Sequence, residues 1–376
     1  MNLNNTRSKY ILMTTNTPVQ VGIVGLGGIG HHHADRLEDQ EAELVGGVDI
    51  NGEARKNFRE KYDVSTYEDD AELLKTADAV LITTPNRFHE QYAVAALEAG
   101  CDVLLEKPLA HTLESAERIV EAAHAAEGFC MVGFNNRFSA PVEVVKEYQN
   151  EGRFGDFSHI EANYVRRRGI PGRGSWFTSK EVAGGGSLID IGVHAIDLAL
   201  HFLDFPTISE VSGTTRSQFG TREDYAYVEM WGEDIGPEGF DVDDSVSAFI
   251  RTEAGQTISL DVAWAVNRPT NDEFVLRGTE AGATFDRASH ELTIHEGSKA
   301  GRDHLTDAEI QTQNSDTHKA EVGYFLDHVA AGTPPERNTV DEGLAVQRVI
   351  DAIYRSSEQG EAVSLNTDSV PALSPK

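Results

Sequence analysis

Residues 19–30 read Val19-Gln20-Val21-Gly22-Ile23-Val24-Gly25-Leu26-Gly27-Gly28-Ile29-Gly30, a β-branched apolar run that passes at once into a glycine turn. The run predicts a buried strand. His31 to Glu38 then begins a helix-like stretch. A second apolar run, 43–48, ends in Asp49. Strand, G-x-G-x-x-G, helix, strand and an acid about twenty residues on is the order a dinucleotide site requires. Gly25 permits the tight turn, Gly27 lets a pyrophosphate approach the backbone, and Gly30 lets the helix pack close to the strand. Gly28 and Ile29 open the helix, whose free N–H groups face the phosphates. Asp49 would accept the ribose 2′-OH and repel a 2′-phosphate, so NAD is expected over NADP. Ile50 and Asn51 add no positive charge, and Arg55 is a turn or more away.

The pattern around this turn sets the fold class. Strands are expected at 19–24, 43–48, 78–83, 102–105 and 129–133, with helices at 89–99 and 113–126. That alternation predicts a doubly wound parallel sheet. Beyond it, strands at 158–167, 244–251, 256–265, 273–278 and 290–295 follow with few helices between. Turn signals fall at 253–255 and 280–282. A second α/β domain with a large, mostly antiparallel open sheet is expected. A helix at 187–203 interrupts it, and helices at 317–331 and 341–357 close the chain. Residues 232–243 and 300–316 read as loops. The expected division is a flexible segment 1–17, a dinucleotide-binding domain 18–137, a substrate domain 138–366, and a tail 367–376. Met13, just before the first strand, is a candidate natural start.

The 376 residues carry 62 acidic and 32 basic side chains, a net charge of −30. Arginine outnumbers lysine, 22 to 10. The acids are dispersed and form no tail. They could suit a basic partner. A dispersed excess with few lysines fits better a halophile's cytoplasm, where molar salt screens the self-repulsion. Stability is then expected to rise with salt. Nucleic acid is not an expected ligand, since phosphate binding needs a basic patch. No apolar run reads as a membrane span, and no signal peptide is visible. The two cysteines, Cys101 and Cys130, lie in apolar runs and read as buried free thiols.

Ligands of open α/β sheets sit beyond the carboxyl ends of the strands. Two such ends carry unusual residues: Thr83-Thr84-Pro85-Asn86 with His89, and Glu106-Lys107-Pro108. Lys107 is either an ordinary surface lysine or a cation beside the nicotinamide that polarises a substrate oxygen. In the 187–203 helix, with Ser187 as expected N-cap, Asp190, His194, Asp197 and His201 share one stripe. The other faces are apolar. The stripe could hold a general base, with Asp190 fixing the His194 imidazole and raising its basicity. A satisfied buried network and a metal site are the other readings. His31-His32-His33 suits packing near the phosphates better than metal. Tyr164, Arg166, Arg168 and Trp176 could bind substrate hydroxyls, a carboxylate or a sugar face, or could form an ordinary strand edge. Asn135 and Arg137 follow the last strand of the first domain, within reach of nicotinamide or substrate.

Five motifs appear in order: Gly25-x-Gly27-x-x-Gly30-x-x-His33, Pro85-Asn86-x-x-His89, Glu106-Lys107-Pro108, Gly133-Phe134-x-x-Arg137-Phe138, and Gly185-Gly186-x-x-x-Asp190-x-Gly192-x-His194-x-x-Asp197. Together they make a chain that resembles the glucose–fructose oxidoreductase, inositol dehydrogenase and MocA (Gfo/Idh/MocA) family from Val21 to about Leu365. The resemblance implies a Rossmann domain joined to a C-terminal domain whose open sheet makes a homodimer or homotetramer. It implies NAD or NADP as cofactor and a sugar or polyol as substrate. Carried over by position, Lys107, Asp190 and His194 are the catalytic group. It also implies a cis peptide before Pro108. Internal redox cleavage of glycosides and non-enzymatic sugar sensing occur on the same fold and are the alternatives.

Overall fold

A computed structural model describes residues 18–365 apart from 39, 229, 314 and 315. The segment 1–17 with Met13 and the tail 367–376 lie outside the described residues. The chain opens with β1 (Val19–Val24), α1 (Gly28–Leu37), β2 (Ala42–Val48), α2 (Gly52–Tyr62) and β3 (Ser65–Tyr67). It continues through β4 (Ala79–Ile82), α3 (His89–Glu98), β5 (Asp102–Glu106), α4 (Leu113–Ala125) and β6 (Cys130–Gly133). These six strands form one parallel sheet in the order β3-β2-β1-β4-β5-β6. The order reverses between β1 and β4, so the ligand crevice opens at their carboxyl ends.

After α5 (Ala140–Asn150) comes β7 (Phe157–Val165), then the short α6 (Lys180–Ala183), a π-turn at Leu188–Gly192 and α7 (Val193–Phe202). The second sheet is completed by β8 (Ile208–Arg216), β9 (Ser245–Thr252), β10 (Thr257–Ala263), β11 (Glu273–Gly278), β12 (Ala281–Asp286), β13 (Leu292–Ser298) and β14 (His304–Ile310). Helices α8 (Thr317–Ala331) and α9 (Val340–Gln359) precede the last strand, β15 (Val363–Ser364). The nine strands run β14-β13-β12-β11-β7-β10-β9-β8-β15. All the pairs are antiparallel except β7 with β10. The chain is therefore α/β, with a doubly wound parallel sheet and a large, mostly antiparallel one.

Three local expectations are corrected. Residues 300–316 contain the strand β14. Its side chains are almost all exposed, so the alternation that marks a half-buried strand is missing, and backbone pairing to β13 alone defines it. The turn expected at 280–282 closes sooner, because Ala281 and Gly282 already pair in β12. The stretch Lys180–Phe202 has the length and hydropathy of a membrane span after all. It is buried inside the molecule, as expected of a core helix.

Helices α7 and α9 pack on one face of the nine-stranded sheet, and the core there continues into the parallel sheet through Val103, Leu105 and Val132. A second apolar cluster lies on the other face of the parallel sheet. There α8 inserts Val322, Phe325 and Leu326 against Val21, Ile23 and Leu104. The late helices thus return to the first domain. Asn338 O accepts from Val132 N at 2.8 Å, which extends the sheet edge beyond β6. Both cysteines are free and buried, and burial pushes the Cys130 thiol up to about 12.

Candidate active site

The glycine turn leaves β1 with Gly25 at φ +97°, a conformation L side chains rarely adopt. A Cβ on Gly30 would stand 2.1 Å from Gly25 O, so α1 packs against the turn only with glycine there. Nothing lies within 4 Å of a Cβ built on Gly27 or Gly28. Both are exposed, and Ile29 beside them is 48% exposed. The first turn of α1 thus presents bare backbone to an open crevice, which fits a dinucleotide pyrophosphate. Across the crevice the Thr84 hydroxyl is buried without a partner. At the end of β2, Asp49 accepts from Leu26 N at 2.8 Å and from Asn51 N at 2.8 Å. Arg55 is nearer than its spacing suggested. Its Nη1 donates to Asp49 O at 2.6 Å, and its Nη2 lies 3.5 Å from Glu68.

The Glu106-Lys107-Pro108 turn sits at the carboxyl end of β5, with a cis bond before Pro108. Glu106 accepts from Lys107 N at 3.2 Å and pairs with His33 of α1 at 2.7 Å. Burial would raise the Glu106 carboxyl, but the His33 hydrogen bond and charge outweigh it and hold it at about 2. His89 is buried, with its two ring nitrogens 2.9 Å from Pro108 O and 2.9 Å from Thr84 O. It therefore ties the two strand ends together and does not line the crevice. Asn86 likewise donates to Ala183 O at 2.8 Å, across to the second domain.

Lys107 Nζ donates to Asp190 O at 2.9 Å and to Asp190 Oδ1 at 3.1 Å. The contact falls in the π-turn, an interruption often found at functional sites. Trp264, just past β10, donates Nε1 to Asp190 Oδ2 at 2.9 Å. Burial opposes ionisation of Asp190, but Lys107 and Arg166 lower its pKa on balance. His194 stands one turn later. Its Nδ1 is buried without a partner. Burial first, then the charges of Lys107 and Arg287, hold its pKa well below 6.5.

Two expectations about this helix change. Asp190 does not hold the His194 imidazole, because its carboxylate is taken by Lys107 and Trp264. Nor is Ser187 the cap. Asp243, before β9, accepts from Gly186 N, Ser187 Oγ and Leu188 N at 2.9, 2.7 and 2.9 Å, and Tyr354 of α9 donates to it at 2.7 Å. The four-residue stripe also divides. Asp190 and His194 face Lys107, whereas Asp197 is sealed against Arg137.

Arg137 was expected to touch substrate, but it is 0% exposed. Its guanidinium binds Asp197 at 2.5 Å and Glu342 at 2.7 Å. Asn135 donates to Thr317 of α8 at 2.9 Å. Arg168 turns to Val266 O and Asn267, because Ala265 pairs with its backbone. Trp176 lies tilted against Phe177, which meets Trp231 edge-on. Tyr164 and Arg166 do stand by the site. Arg166 Nη2 donates to the Tyr164 hydroxyl at 3.2 Å, and its backbone N donates to Ala263 O at 2.7 Å, beside Trp264. Three neighbours went unseen in the sequence: Trp264, Arg287 and His318 of α8. A tryptophan at a strand's end was the one available signal. Of the histidine run, His31 donates to or accepts from Tyr62, His32 packs on His318, and His33 pairs with Glu106. Among the described residues no three potential metal ligands converge.

Residues 19–134 match the oxidoreductase family GFO_IDH_MocA, described by its NAD-binding Rossmann fold, and residues 142–284 match the GFO/IDH/MocA C-terminal domain. A D-glucoside 3-dehydrogenase of Escherichia coli is 30% identical, covering 93% of this chain and 99% of that protein. An inositol 2-dehydrogenase/D-chiro-inositol 3-dehydrogenase of Lacticaseibacillus casei is 26% identical over 94% and 97%. A levoglucosan dehydrogenase solved with NADH and levoglucosan superposes with a TM-score of 0.79 at 25% identity, covering 93% of this chain and 99% of that one. The chain belongs to the Gfo/Idh/MocA family of NAD(P)-dependent oxidoreductases.

Proposed function

We propose that this protein is an NAD(P)-dependent dehydrogenase of a sugar or polyol, and that Lys107, Asp190 and His194 work at the reacting hydroxyl. The carrying observation is the meeting of Lys107 Nζ with Asp190, one turn from a buried, unpartnered His194 Nδ1. The nicotinamide supplies the hydride acceptor when bound. His194, neutral because burial and neighbouring cations oppose its charging, accepts the hydroxyl proton. Lys107 donates to the same oxygen and stabilises the negative charge that develops there. Asp190 is a positioning residue: it holds the lysine ammonium by both its carbonyl and its carboxylate. Gly27, Gly28 and Thr84 would hold the dinucleotide. A screen of aldoses, inositols and sugar acids with NAD⁺ and NADP⁺ in molar KCl, read as accumulating reduced nicotinamide, tests the reading. The salt follows from the net charge of −30, which supports a halophilic protein. No turnover across the panel would refute it.

Two expectations sharpen the test. A base with a depressed pKa stays neutral to lower pH, so kcat/KM should hold as pH falls through 6.5 and drop only below it. A half-drop above that value, in a profile from pH 5 to 9, counts against His194 as base. NAD should exceed NADP in kcat/KM by about tenfold or more, because Asp49 would face a 2′-phosphate with like charge. Arg55, engaged by the Asp49 carbonyl and Glu68, is not free to reverse this. An NADP advantage would show that it swings over.

A further inference from the structure

The side of the site away from the Rossmann sheet carries two arginines in a strongly acidic molecule. Arg166 and Arg287 pack against one ring, Tyr164, with guanidinium carbons 5.3 and 3.7 Å from its centroid. Tyr164 is itself buried. Both guanidinium groups thus meet one aromatic wall. Trp264 places that wall against Asp190: its backbone adjoins Ala263, which pairs with Arg166, and its indole donates to the Asp190 carboxylate.

Their hydrogen-bonding capacity is largely unspent. Arg166 offers five N–H groups. Two of them go to neutral oxygens, the Tyr164 hydroxyl at 3.2 Å and Gly169 O at 3.4 Å. Arg287 pairs through Nη2 with Asp272, and its Nε is buried without a partner. Lys107 is matched by Asp190, Arg287 by Asp272 and Glu106 by His33, while His194 and His318 are held neutral by burial and nearby cations. Among the described residues Arg166 hydrogen-bonds no carboxylate, so its charge is left for a ligand. A neutral sugar would leave the Arg166 charge without an opposite partner and the buried Arg287 Nε unmatched.

We propose that Arg166 and Arg287 form an anion subsite beside the reacting hydroxyl, so that the substrate is a sugar or polyol bearing a carboxylate or a phosphate. The planar fork of arginine suits either group through paired N–H···O bonds. The inference rests on the dehydrogenase reading above and narrows its substrate class.

The test compares matched substrates with NAD⁺ at fixed molar KCl: glucose and methyl glucoside as neutral sugars, glucuronate and gluconate as carboxylates, and glucose 6-phosphate as a phosphate ester. The anionic sugars of one group should exceed the neutral ones in kcat/KM by about tenfold or more, the scale of a charge-assisted bond. Which group wins tells carboxylate from phosphate. In Arg166→Gln and Arg287→Gln that ratio should fall toward one, through a rise in KM for the anionic sugar. Neutral sugars turned over as well as the anionic ones would overturn the subsite and leave the dehydrogenase reading standing. Unchanged ratios in both folded variants would likewise overturn it. Failure of every sugar to reduce NAD⁺ would overturn both.

Discussion

His194→Ala should lower kcat by about 10²–10⁴-fold, the range of a positioned acid–base group. Lys107→Met should lower it by about 10²–10³-fold, as removal of one preorganised donor at a developing oxyanion does. Both variants should keep near-normal NADH affinity, measured by fluorescence titration. Neither side chain reaches the bare backbone of Gly27 and Gly28 that faces the crevice. The geometry also orders a third variant. Asp190 grips Lys107 and leaves His194 alone, so Asp190→Asn should resemble a weakened lysine. Its kcat should fall while the acid limb of its pH profile stays where His194 sets it. If the acid limb moves downward with Asp190→Asn, the carboxylate governs the imidazole after all. If either His194→Ala or Lys107→Met keeps most of the activity, the division of labour is wrong.

The parts of this site legible in the sequence are those fixed by local chain geometry. The glycine turn, Asp49 and the Glu106-Lys107-Pro108 turn are each set by a strand end and a few following residues, so spacing alone places them. Side chains whose roles depend on distant partners were harder to place. Arg137 lies four residues beyond β6, where ligands gather in open sheets, yet Asp197 and Glu342 are 60 and 205 residues away and claim it. Asp190 and His194 have the spacing of a helical pair. The π-turn and Lys107 redirect the carboxylate, and nothing in helical periodicity announces either. Arg287 follows β12 with no motif around it. Only the fold of the second sheet carries it to the Tyr164 ring. The strand β14 escaped notice because an exposed edge strand needs no apolar alternation.

Arg137→Met should destabilise the protein by about 3–5 kcal/mol, the cost of leaving a buried ion without its partner. The loss should be greater at pH 8 than at pH 5. Arg137 is fully buried and binds Asp197 through Nε at 3.1 Å and Nη2 at 2.5 Å, and Glu342 through Nη1 at 2.7 Å. Burial raises the Asp197 carboxyl to about 6 even with the guanidinium beside it, against 3.8 unperturbed. A carboxyl whose folded pKa is raised holds its proton longer in the folded state. Stability therefore falls as pH rises from the unfolded value toward the folded one. Without Arg137 the folded value rises further, and the window of falling stability extends upward past 6. Thermal or urea unfolding of the variant at the two pH values measures this, with wild type as reference. A penalty equal at both would mean that Asp197 is hydrated or relocated once Arg137 is gone. Arg137→Met combined with Asp197→Leu should recover much of the loss, since no charge is then stranded. The same ion pair fixes α7 one turn beyond His194 against the end of β6. The double variant, if stable, should still show reduced kcat through a displaced imidazole. Full activity in a stable double variant would show that the apolar packing of α7 positions His194 unaided.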